Sequence, residues 1–241
     1  MPTEAAQKKV VIVVGPVAGN TGYFKRVANG VAADARRYGA KVIKIYTPNA
    51  TWARVKAAAR GANIFVYLGH GNGWPSPYRP FQTRTKNGIG VNSAAGRSNS
   101  NHKYFGERFV AKELKLAPNA VVLLMRLCYA AGNSEPGKAS PSRSVARQRV
   151  DNYGAGFLKT NARVVFAEGY GNSRYIFRGL WNSNKTMAEI FWSSPQAKRK
   201  WRLNFRSDRT RGARGILDPR RPSSFYRSVI GDLDMRASEW R

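Results

Sequence analysis

The residues best suited to chemistry are His70 and Cys128, because each directly follows or closely follows an apolar segment. His70 comes after residues 63–68 (NIFVYL), within the glycine-rich stretch GHGNG, and Cys128 comes after residues 120–127 (AVVLLMRL). A thiolate beside an imidazole is a nucleophile with its own acid for the leaving group. The glycines that flank His70 would let backbone N–H groups approach a substrate oxygen. The pattern favours a Cys–His catalytic pair.

Each of these two residues, taken alone, has a simpler explanation. A single Cys beside an apolar strand is usually a small buried hydrophobic residue, and a single His in a glycine-rich loop is often a surface turn residue. If the two preceding strands are neighbours in a parallel sheet, their carboxyl ends meet at one edge and the two side chains can approach each other. Their occurrence together after core strands therefore favours catalysis.

The elements that would position this pair alternate between strands and helices. Short apolar runs predict strands over residues 9–14, 41–46, 63–68, 120–127 and 162–167. Helical spacing and breaking residues predict helices over residues 24–38, 52–60, 107–114, 150–159 and 187–191. Strand–helix–strand repetition predicts a doubly wound α/β sandwich with a mostly parallel central sheet.

The chain divides into three parts by composition. Residues 1–8 are interpreted as an N-terminal extension and residues 9–192 as the α/β domain. Residues 193–241 are interpreted as a basic, irregular segment packed on the same domain, with one possible strand or helix at 225–233. The Gly-, Asn- and Ser-rich stretch 69–103 is too long for an ordinary connection, which indicates a functional or elaborated surface loop.

The net charge is the most unusual feature of the composition. Lys and Arg number 42 against 13 Asp and Glu, so the formal charge is +29. This balance favours polyanionic partners such as RNA, DNA or an anionic surface. The densest cluster is Lys198, Arg199, Lys200, Trp201 and Arg202, which could contact phosphates and stack on a base, or could be a solvated helix end with the indole packed inward.

Cysteine and histidine usage limits the other classes. One Cys and two His exclude a disulfide framework and a Cys/His zinc cluster, and we expect no metal and no cofactor. No apolar run is long enough for a transmembrane segment, and the first residues lack the pattern of a signal peptide. The protein is expected in the cytoplasm if the chain is complete, or outside the cell if a leader was removed.

The His-Gly and Cys segments resemble those of the caspase-like cysteine peptidases, which include gingipains, legumains and clostripain. The stretches GHGNGWPSPY, LCYAAGNSEPG and ARQRVDNYGAGFL are similar to those of bacterial proteins with such a domain, over most of residues 8–234. The resemblance implies a three-layer, caspase-like α/β sandwich with a mostly parallel central sheet. It also implies that Cys128 is the nucleophile, that His70 is the acid and base, and that the amides of Gly71 and Cys128 hold the oxyanion. Arg126 departs from the family, many of whose members have an acidic residue there, so substrate preference does not carry over.

Acidic residues near the strand ends are candidates for a specificity pocket. Glu168 ends the strand at 162–167 and Glu135 follows Cys128 by seven residues, and either could meet a basic substrate side chain. For Glu168 a helix-end contact or a salt bridge with an arginine is an equal alternative. Trp74 could line a pocket beside His70, or could anchor the long loop on the core.

Three functions compete at this point. The first is a cysteine endopeptidase or related thiol hydrolase acting on a peptide or protein substrate. The second is a basic protein that binds RNA or DNA on the same fold, in some cases within a ribonucleoprotein assembly, with the Cys–His pair vestigial. The third is a secreted binding domain whose basic surface matches an anionic environment. The oligomeric state is left open.

Overall fold

The structure is a computed structural model that describes residues 7–96 and 98–241. Its strands are β1 (Lys9–Val14), β2 (Lys41–Tyr46), β3 (Ile64–Leu68), β4 (Ile89–Asn92), β5 (His102–Phe105), β6 (Ala120–Met125), β7 (Ala162–Glu168), β8 (Leu203–Arg206), β9 (Arg214–Leu217) and β10 (Arg227–Gly231). Its α-helices are α1 (Thr21–Arg37), α2 (Trp52–Ala59), α3 (Glu107–Glu113), α4 (Arg143–Leu158), α5 (Arg174–Asn182), α6 (Met187–Trp192) and α7 (Ala237–Trp240).

The central sheet has eight strands in the order β2-β1-β3-β6-β7-β10-β9-β8. The first five pair in parallel, and β10, β9 and β8 continue the sheet with antiparallel pairing. The apolar runs of β1, β3 and β6 form the central strands. Every residue of β3 and β6 is buried, as is every residue of β1 after Lys9, because helices cover both faces of the sheet here.

Helices cover both faces of the sheet. The buried residues of α2, α3 and α4 pack on one face with Phe65 and Val122, and those of α1, α5, α6 and α7 pack on the other with Val66 and Leu123. Alternate residues of β3 and β6 therefore enter two separate apolar layers. The predicted three-layer α/β sandwich with a mostly parallel sheet is confirmed.

The C-terminal part of the chain differs from the prediction of an irregular segment. Residues 203–231 supply β8, β9 and β10, which complete the sheet, and α7 packs its Trp240 into the second apolar layer. Four-residue strands with exposed arginines, such as LNFR and RGIL, have too few apolar residues to give a periodic signal. The proposed N-terminal extension, residues 1–8, lies outside the described residues except for its last two.

The long loop after β3 contains a second, smaller sheet. Strands β4 and β5 pair antiparallel, with Asn92 opposite His102 and Gly90 opposite Tyr104. The hairpin lies against α2, where Trp52 stacks on Phe105 with ring centroids 4.7 Å apart. The hairpin therefore covers part of the carboxyl edge of the main sheet. Among the described residues, no helix is both long enough and apolar enough to cross a membrane.

Candidate functional site

The candidate site lies at the carboxyl ends of β3 and β6. These strands are adjacent and parallel, with Leu68 opposite Met125, so the loops that follow them leave the same edge of the sheet. His70 and Cys128 both line one cavity of about 560 Å³ there. The residues that line it are His70, Gly71, Asn72, Tyr78, Tyr104, Cys128, Glu135 and Pro136.

A doubly wound sheet would place a ligand between β1 and β3, where the strand order reverses. Here the β4–β5 hairpin occupies that crevice. A Cβ on Gly15 would lie 2.2 Å from the carbonyl oxygen of Gly90, and the Tyr67 hydroxyl donates to that oxygen at 2.7 Å. The open space is therefore displaced to the neighbouring pair of strands, β3 and β6.

Gly71 permits the two loops to approach closely. A Cβ at this position would lie 2.3 Å from the carbonyl oxygen of Cys128 and 2.7 Å from the hydroxyl of Tyr153. No side chain fits at such distances, so glycine is required for the contact between the β3 loop and the β6 loop. The backbone of Gly71 is thus pressed against the loop that carries Cys128.

The loop that carries Cys128 has an unusual backbone. Arg126 and Tyr129 adopt positive φ angles of 62° and 72°. Non-glycine residues with bulky side chains rarely adopt this region, and such conformations persist where the surrounding structure imposes them. Tyr129 is held by burial and by the hydrogen bond that its hydroxyl donates to Glu135 at 2.7 Å. The loop is therefore shaped to point Cys128 into the cavity.

The thiol of Cys128 is held in its neutral form at physiological pH. Burial, followed by the negative charge of Glu135, raises the pKa of Cys128 to about 11. Both causes disfavour the thiolate, because one removes water and the other places a like charge nearby. An activated nucleophile needs the opposite shift.

The imidazole of His70 is also held neutral. Burial lowers its pKa, the positive charge available on His102 lowers it further, and Glu135 opposes both. The rings of His70 and His102 lie with centroids 4.8 Å apart. The site therefore contains a neutral thiol and a neutral imidazole rather than a thiolate–imidazolium pair.

Glu135 supplies the negative charge of the cavity. Its two carboxylate oxygens accept hydrogen bonds from Tyr78 at 2.8 Å and from Tyr129 at 2.7 Å. Among residues 7–96 and 98–241, no Lys, Arg or His side chain lies within ion-pair distance of this carboxylate. Two phenol hydroxyls orient the carboxylate without neutralising its charge.

Glu168, the other acidic candidate, lies elsewhere. It is 2 % exposed, accepts from the Tyr175 hydroxyl, and pairs with Arg227 through Nε at 3.0 Å. Its carboxylate is thus paired with a buried arginine, and Glu168 does not line the cavity of His70 and Cys128. Glu168 therefore forms the salt bridge with an arginine that the sequence analysis gave as the alternative to a pocket role.

Trp74 and the basic cluster also lie outside this cavity. Trp74 packs against Phe81 with ring centroids 5.8 Å apart, and its carbonyl accepts from Asn152, so it anchors the loop. The cluster Lys198, Arg199, Lys200, Trp201 and Arg202 is a turn whose first two backbone N–H groups donate to the buried carboxylate of Asp218.

Sequence reasoning missed several residues of the site. His102, which the sequence analysis does not single out, is placed by β5 beside the His70 ring, and the same strand brings Tyr104 into the cavity. The alternation of His102 and Tyr104 on one side of a short strand was the available signal. No sequence pattern marked Tyr78 or Asn72 as a residue of the site. In the described part of the chain, no group of three or more His, Cys, Asp or Glu residues could hold a metal ion.

Comparison with known proteins finds similarity to flavodoxin structures. A flavodoxin from Streptococcus pneumonia TIGR4 aligns with a TM-score of 0.33 and 13% identity over 64% of this chain and 77% of that chain. A short-chain flavodoxin associated with a non-canonical PDU bacterial microcompartment aligns with a TM-score of 0.32 and 15% identity over 65% of this chain and 78% of its own. No family model and no curated protein matches. These likenesses assign no ligand and no activity to this chain.

The expected membership of the caspase-like cysteine peptidases is corrected: no family model and no curated protein matches this chain, so no peptidase family is shown for it. The predicted activity as a cysteine endopeptidase or thiol hydrolase is wrong on the same finding. The alternative of RNA or DNA binding has no support from these structures either.

Proposed function

We propose that this protein binds a small organic cation, an amine or an amidinium or guanidinium group on an apolar body, in the cavity between the β3 and β6 loops. The observation that carries the proposal is the charge of Glu135. It is a carboxylate on the cavity wall whose side-chain hydrogen-bond donors, among the described residues, are two neutral phenols, while Lys86 and Arg149 interact with it electrostatically from beyond ion-pair distance. A cation placed there would make charge-assisted hydrogen bonds with lone pairs that the tyrosines leave open.

The aromatic walls support the same ligand class. Tyr78 and Tyr104 both line the cavity, and Tyr78 is 50 % exposed. The face of a tyrosine ring attracts a cation, by about 0.5–1 kcal/mol at exposed sites and more where water is excluded. Rings beside a single carboxylate therefore favour a cation with a flat or apolar body over a strongly hydrated one.

The neutral groups and the size of the cavity fit this proposal. Cys128 and His70, held neutral, place no positive charge opposite the ligand. A volume of about 560 Å³ is within the usual range for small-molecule sites. The overall charge of +29 repels cations at a distance, but salt screens that field beyond roughly 8 Å, so the local carboxylate decides binding.

The test is calorimetric titration of the protein with benzamidine and with benzamide, which have nearly the same shape and differ in charge. We expect benzamidine to bind and benzamide to bind at least about tenfold more weakly, the factor that 1.4 kcal/mol represents. The variant Glu135→Gln keeps the shape of the side chain and removes its charge. We expect it to lose this preference for the cation.

The matched control is Glu113→Gln, which changes the net charge by the same amount. Glu113 pairs with Lys56 at 2.7 Å and does not line the cavity. Its substitution should leave the affinity for benzamidine unchanged. Equal affinity of the wild-type protein for benzamidine and benzamide, or full binding by Glu135→Gln, would show that the carboxylate does not select the ligand.

A further inference from the structure

A second cavity, unrelated to the first, lies between α1 and α5 and has a volume of about 300 Å³. Helical spacing assembles its walls. Asp34 and Arg37 are one turn apart on α1, and Arg174 and Arg178 are one turn apart on α5, so each pair lies on one side of its helix. The lining residues are Asp34, Arg37, Tyr38, Asn172, Arg174, Tyr175, Arg178 and Pro195.

The charges in this cavity do not balance. Arg174 donates through Nε to Asp34 at 3.2 Å, and Asp34 is 6 % exposed. In the part of the chain that the structure describes, no carboxylate pairs with Arg37 or Arg178. Three guanidinium groups and one carboxylate therefore leave two positive charges facing one concave space.

Helix stability does not explain this arrangement. Arg37 lies in the last turn of α1, where a cation is favoured by the helix dipole. Arg174, in contrast, is the first residue of α5, where the dipole disfavours a cation, and the first turn of α5 has no acidic residue to compensate. The ion pair with Asp34 of α1 compensates for this position of Arg174, whereas Arg178, in the middle of α5, has neither a favourable helix end nor a paired carboxylate among the described residues.

We infer that this cavity binds the phosphate group of a small phosphomonoester. Planar guanidinium groups match the oxygens of a phosphate in a bidentate manner, and two unpaired positive charges match the dianion. The cavity has room beyond the phosphate, and Tyr38, which stacks on Trp181 with centroids 5.4 Å apart, offers a fixed aromatic wall for the organic part. The inference is independent of the proposed cation site.

The test measures glycerol 2-phosphate binding by calorimetry at constant ionic strength, with inorganic phosphate as the second probe. We expect both to bind, and we expect the double variant Arg37→Gln/Arg178→Gln to weaken each by at least about tenfold, or 1.4 kcal/mol. Both arginines are exposed, so the variant should remain folded, which circular dichroism would verify.

The matched control is Arg54→Gln/Arg211→Gln, which removes the same charge from two exposed arginines outside the cavity. It should change neither affinity, and neither should Glu135→Gln. Equal weakening by the control variant would mean that the net charge alone attracts the anion and would overturn the inference. Absence of glycerol 2-phosphate binding to the wild-type protein, or binding retained by the cavity variant, would also overturn it.

Discussion

Cys128 and His70 share a cavity whose surroundings favour the neutral form of both side chains. Glu135 raises the pKa of the thiol in addition to the effect of burial, and His102 lowers the pKa of His70 in addition to its burial. The same carboxylate that would hold a cationic ligand therefore suppresses the thiolate. The charge of Glu135 thus supports the proposed cation binding and also disfavours the thiolate of Cys128.

The reactivity of Cys128 should follow its raised pKa of about 11. Because the thiolate is the species that reacts, we expect the rate of iodoacetamide labelling to keep rising with pH, close to tenfold per unit, through pH 10 without a plateau. The Glu135→Gln variant removes a negative charge, lowers this pKa, and should label faster at pH 8. Mass spectrometry after timed quenching measures the rate.

A small unhindered thiol such as N-acetylcysteine is the reference for that experiment. It titrates near the ordinary pKa of a Cys, so its rate levels off about two units earlier. A plateau of Cys128 labelling at or below pH 8.5 would contradict the suppression of the thiolate. The Glu113→Gln variant should label at the wild-type rate.

Two loops and a hairpin form the site at the scale of the elements. The β3 loop and the β6 loop touch through Gly71, and the β4–β5 hairpin fills the crevice beside β1. Strands β3 and β6 provide the rigid carboxyl edge of the sheet, and the loops that follow them provide side chains that line the cavity. The location of the cavity therefore depends on close contacts between loops that are distant in the chain.

Replacing Gly71 should disturb this contact. In Gly71→Ala the new methyl group meets the carbonyl oxygen of Cys128 at 2.3 Å, which is backbone and cannot swing aside. We expect a loss of about 1–3 kcal/mol in the free energy of unfolding, measured by urea denaturation, together with weaker benzamidine binding.

Gly30→Ala is the matched control for that substitution. Gly30 lies within α1, and a Cβ there meets nothing within 4 Å. Alanine is the better helix former, so this variant should gain about 0.5–1 kcal/mol and leave binding unchanged. Equal stability of Gly71→Ala and wild type would indicate that the two loops are not held together as described.

A buried arginine reinforces the junction between the parallel and antiparallel parts of the sheet, where β7 pairs with β10. Arg227, on β10, is fully buried and donates to Asp218 at 2.7 Å, to Glu168 at 3.0 Å and to the carbonyl oxygen of Phe191 at 2.8 Å. These partners come from β7, from α6 and from the chain after β9. The arginine therefore links the last strand of the parallel half with the added strands.

Removal of this link should destabilise the fold. In Arg227→Met two buried carboxylates lose their counter-charge, so we expect a loss of about 3–5 kcal/mol in the free energy of unfolding, measured by urea denaturation. The control is Arg147→Met, because Arg147 and Asp208 form a pair that is 46% and 72% exposed. That variant should lose less than about 1 kcal/mol. A cost for Arg227→Met as small as that of the control would contradict the role of the network.

The net charge of +29 belongs to the molecule rather than to one site. The basic cluster at 198–202 uses its backbone to bind Asp218, and the arginines between α1 and α5 surround a cavity instead of forming a stripe. A distributed charge of one sign attracts anions in general and repels cations. Any selectivity must therefore come from local groups, and the two proposals assign it to Glu135 in one cavity and to Arg37 and Arg178 in the other.

Most strands of the parallel part of the sheet could be predicted, because each is marked by a short apolar run in the sequence. Five predicted strands correspond to β1, β2, β3, β6 and β7. Strands β1, β3, β6 and β7 are almost entirely buried and need continuous apolar sequence, whereas β2 is a half-exposed edge strand. The strands β4, β5, β8 and β9 were not predictable, because each has four residues and acquires its partners from distant parts of the chain. Short strands are defined by pairing rather than by their own composition.

The α/β layers, and the places of His70 and Cys128 after core strands, could be predicted from the sequence. Both depend on the periodicity of apolar residues, which is a property of short stretches of chain. The neighbours of these two residues in space depend on the tertiary structure. It buried Glu168 against Arg227, set Glu135 and His102 beside the cavity, and closed the crevice next to β1 with a hairpin. The ionisation state of a group depends on its burial and on nearby charges, and both are properties of long-range packing.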